Sequence, residues 1–322
     1  MPGAVIVDEN RISVHVSADA DGAVTVAADP AAGACWKSVQ NAAVAGTAPT
    51  SVSGRYVFVG GELGLRVEGT VEMGADPATV TVACLDPYRR GAALVATAAG
   101  AVVGAEAVVY KAPAECAAEA AAQATVESAP LSVLLNHTMQ YSDNTYAEAI
   151  FRALGADGAY ASAVEGVRAA LEAAGYDDAG IPQYKQVDGC GLSRHNFITP
   201  SALVRLLELK LVDASFTDLL PLAGETGTLA SRFVGTPAQG VVRAKTGSAT
   251  AVNSLSGVAP LDAGGELVFS VLSLCPLPSS TVRDAIDQVV VLLLEAAESE
   301  ASAHTRSGGG GVGGGRATAT TL

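Results

Sequence analysis

The sequence is short of positive charge and of long hydrophobic runs. Its 322 residues include 19 Lys and Arg against 33 Asp and Glu, which gives a net charge of −14. Nucleic acids and anionic membrane surfaces are bound through basic patches that neutralise phosphates, so we expect neither as a partner. The longest apolar run, near residues 289–294, is far shorter than the roughly 20 residues that span a bilayer. We therefore expect no transmembrane segment.

Cysteine is scarce and widely spaced. The five cysteines are Cys35, Cys84, Cys116, Cys190 and Cys275, and no two of them form a C-x-x-C pair. A zinc ribbon or a redox dithiol would need such pairs, so the sequence predicts neither of these sites. A chain of this size does not depend on disulfides to stabilise its core, so we expect small thiols that are buried or half-buried.

The first 85 residues have the pattern of a small β domain. Short apolar and β-branched runs alternate with polar residues and are separated by Gly, Asp and Pro. This period of two is typical of antiparallel strands. The predicted strands are residues 4–7, 12–16, 55–59, 65–71 and 78–82. We interpret residues 1–85 as a β-rich module inserted into the domain that follows.

A different pattern begins at Asp86, where an acidic cap followed by Pro87 predicts the start of a helix that reaches about residue 99. Helices are then predicted at 131–141, 146–154, 160–174, 200–212 and 281–297, and strands at 105–110, 241–244, 254–258 and 267–274. Several helices followed by antiparallel strands and a closing helix indicate an α+β domain over residues 86–297. The Gly-rich and Ala-rich tail, residues 298–322, is expected to be disordered.

Two short motifs contain groups that are suited to acyl transfer. Ser142-Asp143-Asn144 lies at the junction of two predicted helices, and Lys245 closes the predicted strand 241–244. An acyl-transfer enzyme that acts on a peptide with a free carboxylate needs a cation, a hydroxyl that relays a proton, and backbone donors for the oxyanion. Lys245 can supply the cation and Thr246 a hydrogen bond to the carboxylate. Ser142 can pass a proton toward the leaving amine, and Asn144 can bind the substrate amide.

The strand that carries Lys245 has a second expected role. An extended substrate can pair with the edge of such a strand through backbone hydrogen bonds. Gly247 permits close approach of another backbone, and the Ser248 backbone N–H can serve as one oxyanion donor. The remaining donor and the nucleophile must come from other parts of the molecule.

A third segment, residues 188–196, reads Asp-Gly-Cys-Gly-Leu-Ser-Arg-His-Asn and is followed by Thr199-Pro200. It closely resembles the D-G-S-G-L-S-R-x-N loop of the penicillin-binding protein 4 type of D-alanyl-D-alanine carboxypeptidase, an S13-like family of serine peptidases. With S-D-N before it and K-T-G-S after it, the resemblance covers nearly everything from Asp8 to about Leu294. Cys190 stands where this family usually has serine.

The resemblance implies both a fold and an activity. The fold would be a penicillin-binding-protein or β-lactamase-like transpeptidase domain with an inserted β-rich module. The activity would be cleavage of peptidoglycan stem peptides that end in D-Ala-D-Ala, or of their cross-links, through an acyl-enzyme that β-lactams inhibit. No metal or organic cofactor belongs to this family, and it acts on the extracytoplasmic, cell-wall side of a membrane. Arg194 in the loop could brace a substrate.

The nucleophile of such an enzyme is missing from this sequence. In the family, the motif S-x-x-K supplies the reactive serine and its lysine partner, but no serine here has lysine three positions later. We therefore expect a truncated product that lacks the nucleophile. The alternative is a non-catalytic pseudoenzyme that binds peptidoglycan or a partner protein. A class A β-lactamase is disfavoured because neither Glu148 nor Glu165 lies in an E-x-x-x-N setting.

Overall fold

The computed structural model describes residues 11–28, 35–98, 127–155, 158–176, 184–209, 214–306 and 317–318. The chain divides into two compact units, residues 1–126 and 127–322. The sequence analysis placed the helix that follows Asp86 in the domain of residues 86–297. In the structure this helix belongs to the first unit. The change in local pattern at Asp86 marks the start of a helix, whereas a unit is defined by its contacts.

The described residues of the first unit form two three-stranded sheets and one helix. Its elements are β1 (Arg11–Ala18), β2 (Val24–Ala28), β3 (Ser38–Gly46), β4 (Ser51–Val59), β5 (Glu62–Glu72), β6 (Ala78–Ala83) and α1 (Pro87–Ala98). The strand orders are β2-β1-β6 and β3-β5-β4. Ile12 and Val14 of β1 pack in one apolar cluster with Leu65 and Val67 of β5, so the two sheets share a core. The period-two pattern of the sequence thus has a direct physical cause.

The predicted strands 12–16, 55–59, 65–71 and 78–82 correspond to β1, β4, β5 and β6. The predicted strand 4–7 lies outside the described residues. Strands β2 and β3 were not predicted, and β3 pairs with β5 in the parallel direction. The expectation of antiparallel pairing is therefore wrong for the side of β5 that pairs with β3. Alternation shows which side chains face the core, but it carries no information about the direction of the neighbouring strand.

A disulfide between Cys35 and Cys84 corrects the expectation that the cysteines are thiols. The two residues are separated by 49 positions in sequence, yet their Cα atoms lie 5.2 Å apart. Cys35 precedes β3 and Cys84 follows β6, so the bond joins the two sheets. Cys190 and Cys275 are half-buried thiols, as predicted, and Cys116 lies outside the described residues.

The second unit places an antiparallel sheet between helices. Its elements are α2 (Leu131–Tyr141), α3 (Asn144–Ala153), α4 (Tyr160–Ala173), α5 (Pro200–Glu208), α6 (Ala214–Thr217), β7 (Arg243–Ala249), β8 (Val252–Pro260), β9 (Glu266–Leu274), α7 (Ser279–Arg306) and β10 (Ala317–Thr318). The strand order is β10-β9-β8-β7, and only the β10 pairing is parallel. Among the described strands, β7 lies at the edge of this sheet, and its outer side is bridged at Arg243 by Leu222.

The two faces of the sheet bury different helices. The residues of α7 that pack on the sheet recur every three or four positions: Val282, Ile286, Val290, Leu294 and Ala297. Val204 of α5 forms a separate cluster with Val258 and Val268. Burial of such aliphatic side chains stabilises by roughly 1.5–3 kcal/mol each, so the sheet that carries β7 is firmly supported.

Several element ends differ from the sequence analysis. Helix α7 continues to Arg306, so residues 298–306 are helical where disorder was expected. Helix α5 ends at Glu208 rather than near residue 212, and strand β7 begins at Arg243 and extends beyond Lys245 to Ala249. The predicted strand 105–110 lies outside the described residues. Within the described part of the chain, no helix is both long enough and apolar enough to cross a bilayer.

The disulfide predicts a large loss of stability on its removal. A cross-link that closes a loop of 49 residues stabilises by about 4 kcal/mol in the chain-entropy model. We expect the double substitution Cys35→Ala and Cys84→Ala to lower the denaturant midpoint of the first unit, read from the fluorescence of Trp36, the single tryptophan. The control is Cys190→Ala with Cys275→Ala, which removes two thiols and no cross-link. Equal midpoints for the two double variants would contradict the prediction.

Candidate active site

The turn between α2 and α3 presents the two outer residues of the S-D-N motif. Ser142 ends α2 in the left-handed region, with φ 56° and ψ 44°. Asp143 caps α3, because its Oδ1 accepts hydrogen bonds from the backbone N–H groups of Thr145 at 2.9 Å and Tyr146 at 3.0 Å. Asp143 is buried, whereas Ser142 and Asn144 are exposed. The middle residue of the motif thus builds the turn and leaves its neighbours available for chemistry.

Side-chain packing between α2 and α3 supports this turn. The ring of His137 lies 4.5 Å from that of Tyr146 and 5.0 Å from that of Tyr141, measured between ring centroids. Its Nε2 atom is 3.5 Å from Asp143 Oδ2. The two helices are therefore joined by side-chain contacts as well as by the capping residue.

Strand β7 brings the K-T-G motif to this turn. Lys245 Nζ donates a hydrogen bond to Ser142 Oγ at 2.7 Å, although the two residues are 103 positions apart. It donates a second bond to the carbonyl oxygen of Thr246 at 2.9 Å. The structure thus joins the two motifs that the sequence analysis selected. Lys245 lies inside β7 rather than at its end, because the strand continues to Ala249.

Burial lowers the pKa of Lys245 from the ordinary 10.5 to about 8. Removal from water disfavours the ammonium form, because the charge loses hydration that two hydrogen bonds replace only in part. The side chain is still mainly protonated at pH 7 and becomes neutral above about pH 8. Near neutral pH it can therefore serve as the cation for a bound carboxylate and as a source of protons.

Thr246 turns its hydroxyl toward a residue that the sequence analysis did not select. Thr246 Oγ1 donates to Thr228 Oγ1 at 3.0 Å. Thr228 belongs to a short 3₁₀ turn, Gly227–Leu229, that lies against the last turn of α2. The sequence analysis gave Thr228 no role.

The remaining residues of the motif fit the β7–β8 ladder. Gly247 lies opposite Ser254, and a Cβ at Gly247 would be 2.3 Å from Ser254 Oγ. A side chain at this position would therefore displace the Ser254 hydroxyl. Ser248 lies opposite Asn253 and donates from its Oγ to Asn253 Oδ1 at 3.2 Å. Asn253 is almost fully buried, so it holds the Ser248 side chain in one position.

The loop of residues 188–196 is organised by its own aspartate. Asp188 Oδ1 accepts from the backbone N–H of Gly191 at 2.9 Å and from Asn196 Nδ2 at 2.7 Å, while its Oδ2 accepts from Ser193 N at 2.7 Å. Asn196 in turn accepts from the Val187 N–H at 2.8 Å. The first and last residues of the motif are therefore turn-forming residues.

Glu148 of α3 fixes this loop to the helix layer. It is buried, and its Oε2 accepts from the backbone N–H groups of Gly189 at 2.8 Å and Cys190 at 3.1 Å. The pKa of the Tyr160 phenol is raised to about 12, mainly by its hydrogen bond with Glu148 and to a smaller extent by burial. A Cβ at Gly189 would lie 2.2 Å from Phe151 Cβ, so the loop backbone packs directly on α3. Glu148 was weighed only as a deacylating base, and its structural role was missed.

Arg194 and Asn144 are not part of the hydrogen-bonded network around Lys245. Arg194 is exposed on the 188–196 loop, and Asn144 is exposed at the first position of α3. Their roles as substrate-binding residues stay predictions. Among the described residues there is no group of three or more His, Cys, Asp or Glu side chains that could hold a metal ion.

Comparison with known proteins identifies relatives of this chain. The model of the D-Ala-D-Ala carboxypeptidase 3 (S13) family matches residues 1–296. Penicillin-sensitive carboxypeptidase A of Dictyostelium discoideum is 40% identical over 182 residues, which are 52% of this chain and 35% of that protein. The D-alanyl-D-alanine carboxypeptidase of Actinomadura sp. (strain R39) is 39% identical over 159 residues, 45% of this chain and 29% of the relative. The chain thus spans about a third of the length of these curated relatives.

Solved structures show the same fold. Penicillin binding protein 4 from Haemophilus influenzae superposes with a TM-score of 0.57 at 20% identity, over 86% of this chain and 63% of that chain. The structure of that protein complexed with a β-lactam gives a TM-score of 0.53 at 21% identity, over 81% and 62%. The α+β fold of the penicillin-binding-protein type, which the sequence analysis predicted, is confirmed.

Lys245 should make the stability of the second unit depend on pH. Between about pH 8 and 10.5 the unfolded chain binds a proton that the folded chain releases, so stability rises with pH in this window. We expect Lys245→Met to remove this rise, which amounts to about 3 kcal/mol when fully developed. The measurement is denaturant unfolding at several pH values from 7 to 10.5. Lys37→Met, at an exposed lysine of the first unit, is the control. Parallel curves for wild type and Lys245→Met would contradict the prediction.

Proposed function

The chain belongs to the D-Ala-D-Ala carboxypeptidase 3 (S13) family, and we propose that it binds peptidoglycan stem peptides ending in D-Ala-D-Ala. Ser142, Asn144 and Lys245 form the proton-relay and substrate-binding part of a serine-type carboxypeptidase or endopeptidase site. The observation that carries this proposal is the 2.7 Å hydrogen bond from Lys245 Nζ to Ser142 Oγ. It joins a cation and a hydroxyl from two elements that are distant in sequence.

The direction of that hydrogen bond supports a proton relay. Ser142 Oγ accepts from Lys245, so the hydroxyl proton of Ser142 remains available for a leaving amine. When Ser142 gives up this proton, Lys245 can replace it, because its pKa of about 8 is close to neutral pH. The leaving nitrogen gains one proton and Lys245 loses one. No other acid is needed for this step.

Substrate binding follows from the same residues. A protonated Lys245 attracts the terminal carboxylate of the peptide, and Gly247 and Ser248 offer the backbone of β7 as a pairing edge. Asn144 lies exposed beside Ser142 and can bind the substrate amide through its side chain. Arg194 braces the substrate from the 188–196 loop. We propose the same carboxylate contacts for β-lactams, and an extracytoplasmic location where the peptide substrates occur.

The nucleophile requires separate consideration. Acyl transfer by this family needs the S-x-x-K motif, and no serine of the 322 residues is followed by lysine at the third position. The 322 residues therefore supply binding and proton relay without an acylated serine. The second candidate function is that the chain binds the same peptides without cleaving them.

Peptide binding tests the proposed substrate class. We expect an N-acyl peptide ending in D-Ala-D-Ala with a free carboxylate to bind more tightly than its C-terminal amide in isothermal titration calorimetry. Lys245→Met should lower the affinity for the free acid at least tenfold, because hydrogen bonds to charged groups contribute about 1.5–3 kcal/mol. The affinity should also fall above about pH 8, where Lys245 becomes neutral. Lys37→Met is the matched control, and equal affinity for acid and amide would refute the proposal.

Labelling with a fluorescent penicillin separates binding from acylation. If the chain binds peptides without its own nucleophile, no covalent adduct should survive denaturing gel electrophoresis, although peptide binding persists. Unlabelled penicillin should then compete with the peptide reversibly. A stable adduct, mapped by mass spectrometry of the digested chain, would instead reveal a serine that acts as nucleophile outside the S-x-x-K pattern.

A further inference from the structure

Glu148 is the point at which the 188–196 loop is attached to the helix layer. It lies on α3 with 5% of its surface exposed, and its Oε2 accepts from the backbone N–H groups of Gly189 at 2.8 Å and Cys190 at 3.1 Å. Its carboxylate also accepts from the phenol of Tyr160, the first residue of α4. One buried side chain therefore joins the loop to two helices.

The other hydrogen bonds of the loop stay within it and its flanks. Asp188 accepts from three residues of the same loop, and Asn196 accepts from Val187 beside it. Among the residues that the structure describes, the hydrogen bonds that leave the loop for another element end on Glu148. Asp188 therefore sets the shape of the loop, whereas Glu148 sets its position.

Glu148 also relates the loop to the S-D-N turn. Asn144 lies four residues earlier on α3, so the two side chains share one face of the helix. The rise between them is about 6 Å. Gly189 packs on the same helix, since a Cβ there would lie 2.2 Å from Phe151 Cβ and 2.8 Å from the carbonyl oxygen of Ala147. A change in the Glu148 contact would therefore move the loop relative to Asn144.

We propose that Glu148 is a positioning residue for peptide binding. It sets the distance between the 188–196 loop and the S-D-N turn, and it acts on the peptide only through the loop. The N–H groups of Gly189 and Cys190 lose their acceptor if the loop shifts, so other loop positions are disfavoured. A loop that is already held in one position loses less conformational entropy when the peptide binds. This inference rests on the proposed function.

Cys190 can report on this attachment. Its thiol is half-buried next to Glu148, and burial raises its pKa, so it should react slowly with a disulfide reagent such as DTNB. Substitution of Cys116 and Cys275 by alanine gives a background chain in which Cys190 is the single free thiol. The rate of its reaction then measures how firmly the loop is held.

In this background we expect Glu148→Ala to react severalfold faster, because the loop loses its attachment. Glu148→Gln should keep the background rate, since an amide oxygen can still accept both N–H groups. Glu165→Ala, at an exposed glutamate of α4, is the matched control. Gly189→Ala displaces the loop from Phe151 without changing the carboxylate, so it should also raise the rate. It provides the same test if Glu148→Ala does not fold.

Peptide affinity shows whether the attachment matters for binding. We expect Glu148→Ala to lower the affinity for the N-acyl peptide ending in D-Ala-D-Ala about tenfold in isothermal titration calorimetry, because a released loop must be ordered on binding. Glu148→Gln should retain the wild-type affinity. In an Arg194→Ala background, Glu148→Ala should cause little further loss, because both changes act through the loop. The fall in affinity above about pH 8, which Lys245 causes, should persist in each variant.

An unchanged Cys190 rate in both Glu148→Ala and Gly189→Ala would overturn the attachment. Unchanged affinity in a variant whose loop is released, or a loss that adds fully to that of Arg194→Ala, would overturn the positioning role. Loss of the pH dependence in Glu148→Ala would show a general disruption of the site and would overturn it as well. If the wild-type chain fails to distinguish acid from amide, the proposed function fails instead, and the Cys190 rates still test the attachment.

Discussion

The hydrogen bond between Lys245 Nζ and Ser142 Oγ is the contact around which the second unit arranges its candidate site. A partly buried ammonium group is costly unless acceptors replace its lost hydration. One acceptor, the Thr246 carbonyl, comes with the strand, but the other must be delivered by a helix turn 103 positions away. The turn capped by Asp143 positions Ser142, and the β7–β8 ladder positions Lys245.

The carboxylates of the motif regions bind backbone N–H groups. Asp143 caps α3, Asp188 closes the 188–196 loop, and Glu148 ties that loop to α3. Each accepts at least two N–H groups that would otherwise lack partners, which stabilises a single loop geometry. The acidic residues of S-D-N and of the 188–196 loop thus position Ser142, Asn144 and Arg194, while the hydroxyls and the lysine carry the proposed chemistry.

Sequence reasoning located the parts of this site that have local signals. The acidic and threonine caps and the apolar spacing gave helices α1 to α5 nearly correct starts, and the motifs gave Ser142 and Lys245. Contacts distant in sequence were missed: the Cys35–Cys84 bond, the parallel β3–β5 pair and the partnership of Thr228 with Thr246. A threonine in a turn has no periodicity and no charge partner, so nothing in its neighbourhood predicts which hydroxyl it will meet.

The direction of the hydrogen bonds has a consequence for how a substrate would fit. Lys245 donates toward Ser142, so the Ser142 hydroxyl keeps its own proton, and Lys245 uses two of its three N–H groups on Ser142 and the Thr246 carbonyl. The terminal D-alanine of a stem peptide likewise has two groups that need protons or donors: the scissile nitrogen and the carboxylate. Under the proposed function, Ser142 meets the first requirement and Lys245 the second. A single residue of substrate therefore spans the Lys245–Ser142 pair.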